Sequence, residues 1–268
     1  MKTFDFLQIQ NDSKTADALK TFYNEYGFAI IERLFENNDI QKIRLIFNGI
    51  AETRKKQGHA PYSNYLAPHL DLPAIVDTAR NERLVQCVNH LLKGWPDLLN
   101  TQILFNPPGT IGYTTHQDNW YNRTKPADGM ITCWIPLEKC DPLNGTIYVF
   151  PGSHKEGLLP TRKDWGFLAA TYGKFFKEKL RGFFKGSRVE NKRVLSRFLH
   201  TTVPEKYEKV AVRIEPGSVC LFHGNLVHGS WDNSSNHFRK VLVVCYIRDG
   251  ATFKKGLFAN RRRIPLGT

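Results

Sequence analysis

The order in which patterns fall along the chain constrains its fold more than any single motif. Clear helical periodicity marks the first hundred residues, and from about residue 100 short strand-like runs follow one another, closed by Gly and Pro, with only weak, partly helical periodicity in residues 155–209. Helices that precede the strands, rather than separating them, argue against a parallel βαβ sheet. They fit a mainly β fold, a sandwich or jelly roll, with supporting helices ahead of it.

In the first part, Asp12 or Ser13 can cap a helix over residues 12–26, with Leu19, Phe22, Tyr23 and Tyr26 as its apolar stripe and Gly27 as its stop. Phe28–Ile31 reads as a short buried strand. A second helix begins near Asn38–Asp39 and carries Ile40, Ile43, Phe47 and Ile50. Residues 59–70, with Pro61, Asn64 and Pro68, read as a loop, and residues 73–92 as one further helix ended by Gly94. The strand-like runs are Thr101–Asn106, the segment around His116, Gly129–Leu137, Thr146–Phe150 after an Asn144-Gly145 turn, Val210–Ile214, Ser218–Phe222 and Arg239–Ile247.

The two β blocks, 100–154 and 210–250, are separated by residues 155–209, which carry 14 Lys or Arg against 6 Asp or Glu. Residues 248–263 carry 6 against 1, and together these stretches account for the whole net charge of +13. Localised positive charge draws anions. The insertion is expected to be a basic lid or substrate loop, with Arg162, Lys163 and Arg181 as candidate substrate contacts. Arg261-Arg262-Arg263 reads as a solvated tail. With no linker or repeat, residues 1–268 read as one domain whose first 99 residues are helical support.

Five cysteines, odd in number and without a C-x-x-C pair, suit free thiols in a reducing cytoplasm. No signal peptide and no 18-residue apolar run is visible, so no membrane span is expected. There is no RNP-like motif or zinc-finger spacing, which speaks against nucleic acid as the partner.

The chemistry centres on His116-Gln117-Asp118. On a strand, residues i and i+2 project to one face, so an imidazole and a carboxylate there would enter the same space. A distant third ligand would complete the two-His, one-carboxylate facial triad of non-haem Fe(II) oxygenases. His154, His200, His223, His228 and His237 are the candidates, with His228 in Val227-His228-Gly229-Ser230 preferred and His223 its rival. The small residues after His228 would let a ligand approach closely. Arg239 opens the strand Arg239–Cys245 and alternates with Val241, Val243 and Cys245. If that face is inward, a buried guanidinium requires an anion, and a carboxylate suits its fork. If Lys240 faces inward instead, the argument falls.

In sum, Asn106-Pro107-Pro108-Gly109, His116-Gln117-Asp118, Asn144-Gly145 with Pro151-Gly152-Ser153-His154, and His228-Gly229-Ser230 through Arg239 make the chain resemble the phytanoyl-CoA dioxygenase family of Fe(II)/2-oxoglutarate-dependent oxygenases. The resemblance implies a double-stranded β-helix, a jelly roll with N-terminal helices and a long insertion between strands. It implies that His116, Asp118 and His228 bind Fe(II), and that Arg239 and Ser230 hold the distal carboxylate of 2-oxoglutarate. Trp134 matches a tryptophan lining the cosubstrate pocket, and Gln102 lies where a polar side chain often approaches the cosubstrate. The implied activity consumes O2 and 2-oxoglutarate, releases succinate and CO2, and hydroxylates an unactivated C–H. Related halogenases lack the metal carboxylate, so Asp118 favours hydroxylation. The basic stretch implies a small anionic substrate, free or linked to coenzyme A or a carrier protein. Desaturation or epimerisation at the same metal site is the alternative, and a basic binding barrel without catalysis the second.

Overall fold

A computed structural model describes residues 1–164, 199–256 and 261–266. The first part contains β1 (Thr3–Asp5), α1 (Phe6–Asn11), α2 (Ser13–Tyr26), β2 (Phe28–Glu32), α3 (Asn37–Lys56), β3 (Tyr65–Leu66), α4 (Pro73–Ala79) and α5 (Glu82–Leu92). Next come β4 (Pro96–Asn106), α6 (Asp118–Asn122), β5 (Met130–Pro136), β6 (Ile147–Val149) and β7 (Thr161–Lys163). From residue 199 follow β8 (Leu199–Thr201), within the second half of the insertion, then β9 (Val210–Ala211), β10 (Val219–His223), β11 (His228–Ser230), β12 (Arg239–Arg248) and β13 (Ile264–Pro265).

The caps explain the helix ends. Asp12 accepts from the backbone N–H groups of Lys14 and Thr15, and Gly27 stops α2 in the left-handed region at φ 77°. The single helix expected over residues 73–92 is two. Asn81 takes the N–H of Leu84 at 3.2 Å, restarting the helix as α5. The expected loop over 59–70 contains β3, whose Tyr65 pairs with Ile103, and a 3-10 turn at Pro68–Leu70.

A large sheet runs β1-β2-β10-β5-β12-β4-β13, with β3 also on β4; only β1 and β2 pair in parallel. A smaller sheet runs β11-β6-β9. The mainly β jelly roll with supporting helices is thus the fold observed.

The large sheet has two buried faces. Its outer face sets Ile131, Cys133, Ile135, Leu221, Leu242, Val244 and Tyr246 against helix residues such as Leu19, Phe47, Ile75 and Val88. Its inner face sets Trp134, Phe222, Val241, Val243 and Cys245 against Ile147 and Val149 of the smaller sheet. This alternation follows from the period-two geometry of β5, β10 and β12. It decides one open question, because Arg239 shares the inner face and is 1% exposed. Lys240 points outward and pairs with Glu138 at 3.5 Å.

Candidate metal centre

His116 does not lie on a strand, contrary to the sequence expectation. It forms an isolated bridge with His228, each N–H donating to the other's carbonyl at 2.8 and 3.0 Å. Asp118 opens the short helix α6. Gln117 between them is extended, at φ −122° and ψ 126°. One extended residue suffices for alternation, so His116 and Asp118 still project to one side. Gln117 projects to the other, where its side chain bonds the backbones of Gly157, Leu159 and Asn225 at 2.6–2.8 Å.

The three side chains converge. Asp118 Oδ1 is 3.8 Å from both His116 Nε2 and His228 Nε2. One ligand atom from each residue lies within 4.8 Å of the others. His116 Nδ1 is 2.7 Å from the Thr114 carbonyl, and His228 Nδ1 is 3.0 Å from the Leu226 carbonyl. A carbonyl only accepts, so each Nδ1 carries the proton and each Nε2 presents a lone pair to the centre. Thr132 Oγ1 donates to Asp118 Oδ2 at 2.6 Å, which leaves Oδ1 to face the histidines. Burial, reinforced by the neighbouring His116, pushes the pKa of His228 down, so it is neutral as a metal ligand must be. Two neutral nitrogens and one carboxylate suit a divalent transition metal such as Fe(II).

The cosubstrate side was tested by its buried donors. Arg239 lies over Trp134 with 5.6 Å to the ring centroid. With its amide turned to donate to the Phe105 carbonyl, Asn106 accepts from Arg239 Nη2. Nε and Nη1 of Arg239 are buried without a partner among the described residues. Burial lowers the pKa of this guanidinium, the signature of a desolvated cation. Two unmet donor nitrogens on such a group are costly and call for an anion. A distal carboxylate of 2-oxoglutarate fits that demand in charge and in the number of acceptors.

Ser230 shares the inner face with His228, opposite Ile147 of β6. Its Oγ accepts from the Tyr113 N–H at 2.8 Å, so its proton remains to donate. Gln102 is in register with Val243, four residues from Asn106 and on the same face. Gly229 faces outward instead. A Cβ there would lie 2.5 Å from Tyr148 Cζ and 2.8 Å from the Tyr113 carbonyl, so close backbone packing, not ligand approach, demands the glycine.

Other candidates part from the centre. His223 points to the outer side, its Nδ1 accepting from Asn225 N at 2.9 Å and its ring 5.1 Å from that of His154. Arg162 and Lys163 lie on β7 and are exposed, while Arg181 and the middle of the proposed lid, residues 165–198, fall outside the described residues. The solvated tail is corrected: Arg263 pairs with Asp97 and Asp249 at 3.5 and 3.4 Å, and Arg261 is half-buried.

The roles of three residues carried no sequence signal. Thr132 fixes the metal carboxylate, and Asn106 caps Arg239. Tyr113 lies 6.1 Å from His116 ring to ring, and its N–H donates to Ser230 Oγ. Each became visible only when strands far apart in sequence were paired.

A family model described as phytanoyl-CoA dioxygenase (PhyH) matches residues 23–241. The peroxisomal phytanoyl-CoA dioxygenase of Rattus norvegicus is 25% identical over 249 residues, covering 85% of this chain and 67% of its own length. A protein of Stutzerimonas stutzeri named probable alpha-ketoglutarate-dependent hypophosphite dioxygenase is 26% identical over 239 residues, covering 84% and 76%. In fold the chain is similar to the alpha-ketoglutarate-dependent epimerase SnoN, with TM-score 0.64, 14% identity and coverage of 92% and 88%. It is also similar to EctD from S. alaskensis, solved with 2-oxoglutarate and 5-hydroxyectoine, with TM-score 0.59, 17% identity and coverage of 93% and 78%. With the family matched over most of its length and the triad in place, this chain belongs to the phytanoyl-CoA dioxygenase family of Fe(II)/2-oxoglutarate-dependent oxygenases.

Proposed function

We propose that the chain hydroxylates an unactivated C–H of a small anionic metabolite, free or carried on coenzyme A or a carrier protein. The observation that carries this reading is the pairing of an intact His116–Asp118–His228 cluster with a buried, under-satisfied Arg239 on the same inner face. Fe(II) with 2-oxoglutarate supplies oxidation by O2, coupled to formation of succinate and CO2. The protein's part is positional. The Thr114 and Leu226 carbonyls hold the two imidazoles, Thr132 holds the carboxylate, and Arg239 with Ser230 would receive the far carboxylate of the cosubstrate. Trp134, beneath the guanidinium, excludes water from that ion pair, which strengthens it. Gln102 is placed to offer a further polar contact from β4.

The anionic substrate class is supported by the two clusters of positive charge. It is also supported by relatives whose names give substrates as unlike in size as phytanoyl-CoA and hypophosphite, both anions. A second reading, epimerisation at the same centre, is favoured by the likeness in fold to SnoN. Product analysis with 18O2 separates the two, since hydroxylation leaves label in the organic product and epimerisation does not.

We place the chain, as one domain, in the cytoplasm. All five cysteines are free and buried, and no helix among the described residues is long and apolar enough to cross a membrane.

The first test is an anaerobic titration of metal-free protein with Fe(II) and then 2-oxoglutarate. The expected result is a weak visible charge-transfer band in wild type, lost in Asp118→Ala and weakened in Arg239→Ala. No band in wild type would remove the oxygenase reading.

A further inference from the structure

The C-terminal segment is tied back to the metal centre from two sides. Lys254 N donates to the Asn122 carbonyl at 2.7 Å, at the end of α6, the helix that Asp118 opens. Thr252 and Lys125 exchange backbone bonds at 2.8 and 2.9 Å. Further on, β13 pairs with Leu98 and Asp97 of β4, and Arg263 bridges Asp97 and Asp249. Arg261 lies between these two anchorages. Its Nη1 donates to the carbonyls of Lys254 and Lys255 at 3.2 and 3.4 Å. Its Nε is buried and has no partner among the described residues. Burial lowers the pKa of this guanidinium, and the Asp118 carboxylate opposes that. The tail thus brings a half-buried guanidinium to the end of α6.

Arg239 does not serve that place. Arg239 and Cys245 are six residues apart on β12, roughly 20 Å at about 3.3 Å per residue. Thr132, which donates to Asp118, lies beside Cys245, so Asp118 sits toward the far end of β12 from Arg239. Arg261 therefore addresses the centre from a different direction. A half-buried guanidinium with an unmet Nε calls for an anion.

We propose that Arg261 is the receptor for a carboxylate or phosphate group of the primary substrate, holding it beside the metal centre on the side away from Arg239. The assignment rests on the oxygenase reading above and deepens it by naming a substrate contact. A guanidinium fork meets either group with two parallel hydrogen bonds. The remaining partner is the unmet Nε.

The test titrates inorganic phosphate, octanoate and, as the uncharged match, octanol into the full chain. Tryptophan fluorescence reports binding, and the visible band reports the Fe(II)/2-oxoglutarate complex. Each titration is run on metal-free and on anaerobically loaded protein. At least one anion is expected to bind wild type at concentrations where octanol does not, and the better binder names the group. Arg261→Gln should weaken that anion about tenfold, the loss of one charge-assisted contact, with Arg261→Lys restoring part of it. The 2-oxoglutarate titration should stay within about twofold in both variants, because Arg239 holds the cosubstrate. The proposal is overturned if neither anion binds, if Arg261→Gln leaves anion binding unchanged, or if it weakens 2-oxoglutarate equally. The last result would make the tail a brace of the metal centre. A wild type without the visible band sinks the oxygenase reading instead, and the metal-free anion titration then decides Arg261 alone.

Discussion

The two faces of the large sheet are equally dry and differ in what they enclose. On the outer face apolar side chains meet helices, and a buried polar tip such as the Tyr246 hydroxyl finds a partner, the Ala79 carbonyl at 2.7 Å. On the inner face Arg239, Thr132, Asn106 and His228 are as buried as any leucine, and Arg239 keeps donors unmet. A satisfied buried group such as the Tyr246 hydroxyl costs the fold little, whereas an unmet buried donor raises its free energy unless a ligand binds. The same strands do both, because alternate residues look opposite ways. Stability and chemistry should therefore separate by face.

The largest effect should come from the inner face. Asp118→Ala is expected to abolish the Fe(II)/2-oxoglutarate band, while the thermal midpoint of the metal-free protein stays near wild type. A collapse of the midpoint would show that the triad is structural. Next, Phe47→Ala empties a fully buried site on the outer side, where the ring meets Phe105 edge-on at 5.2 Å. Urea unfolding should show a loss of about 3–5 kcal/mol, with the band retained once the protein is folded. An equal loss of iron affinity would break the separation of faces.

Acid tests the same division through His223, which is buried on the outer side beside His154. Burial and the His154 charge push its pKa down from 6.5 to about 4. The unfolded chain binds the proton more readily, so this contribution is intact above pH 6.5 and is lost as pH falls toward 4. The loss is expected to reach at most about 3 kcal/mol, and His223→Asn should flatten the pH profile of metal-free stability over that window. An unchanged profile would assign the acid sensitivity elsewhere. The smallest effect is the sharpest. Thr132→Val removes the donor to Asp118 but keeps the shape, and should weaken Fe(II) binding about tenfold with little change in unfolding. Thr132→Ser should recover most of it.

What the sequence disclosed follows the range of the contacts involved. The helix over 12–26 was legible because its cap and its stop are local. The inward Arg239 was legible because β12 is ten regular residues and alternation does not slip before Cys245. The His116–Asp118 pairing was found through a strand that does not exist, yet the conclusion held, because Gln117 alone provides the extended step. Thr132 and Tyr113 gave no sign, since their roles depend on pairings between distant segments. Arg261 was read as solvent-exposed because its place depends on Lys254 meeting Asn122, across more than a hundred residues.

One feature of the triad bears on how such a protein can change. Both histidines hand their Nδ1 protons to main-chain carbonyls, those of Thr114 and Leu226. No substitution of another residue's side chain can take those acceptors away. The orientation of the metal's nitrogens is written into the backbone, and it persists as the residues around it are exchanged. Divergence in substrate can then proceed through the lining and the tail without renegotiating the centre itself.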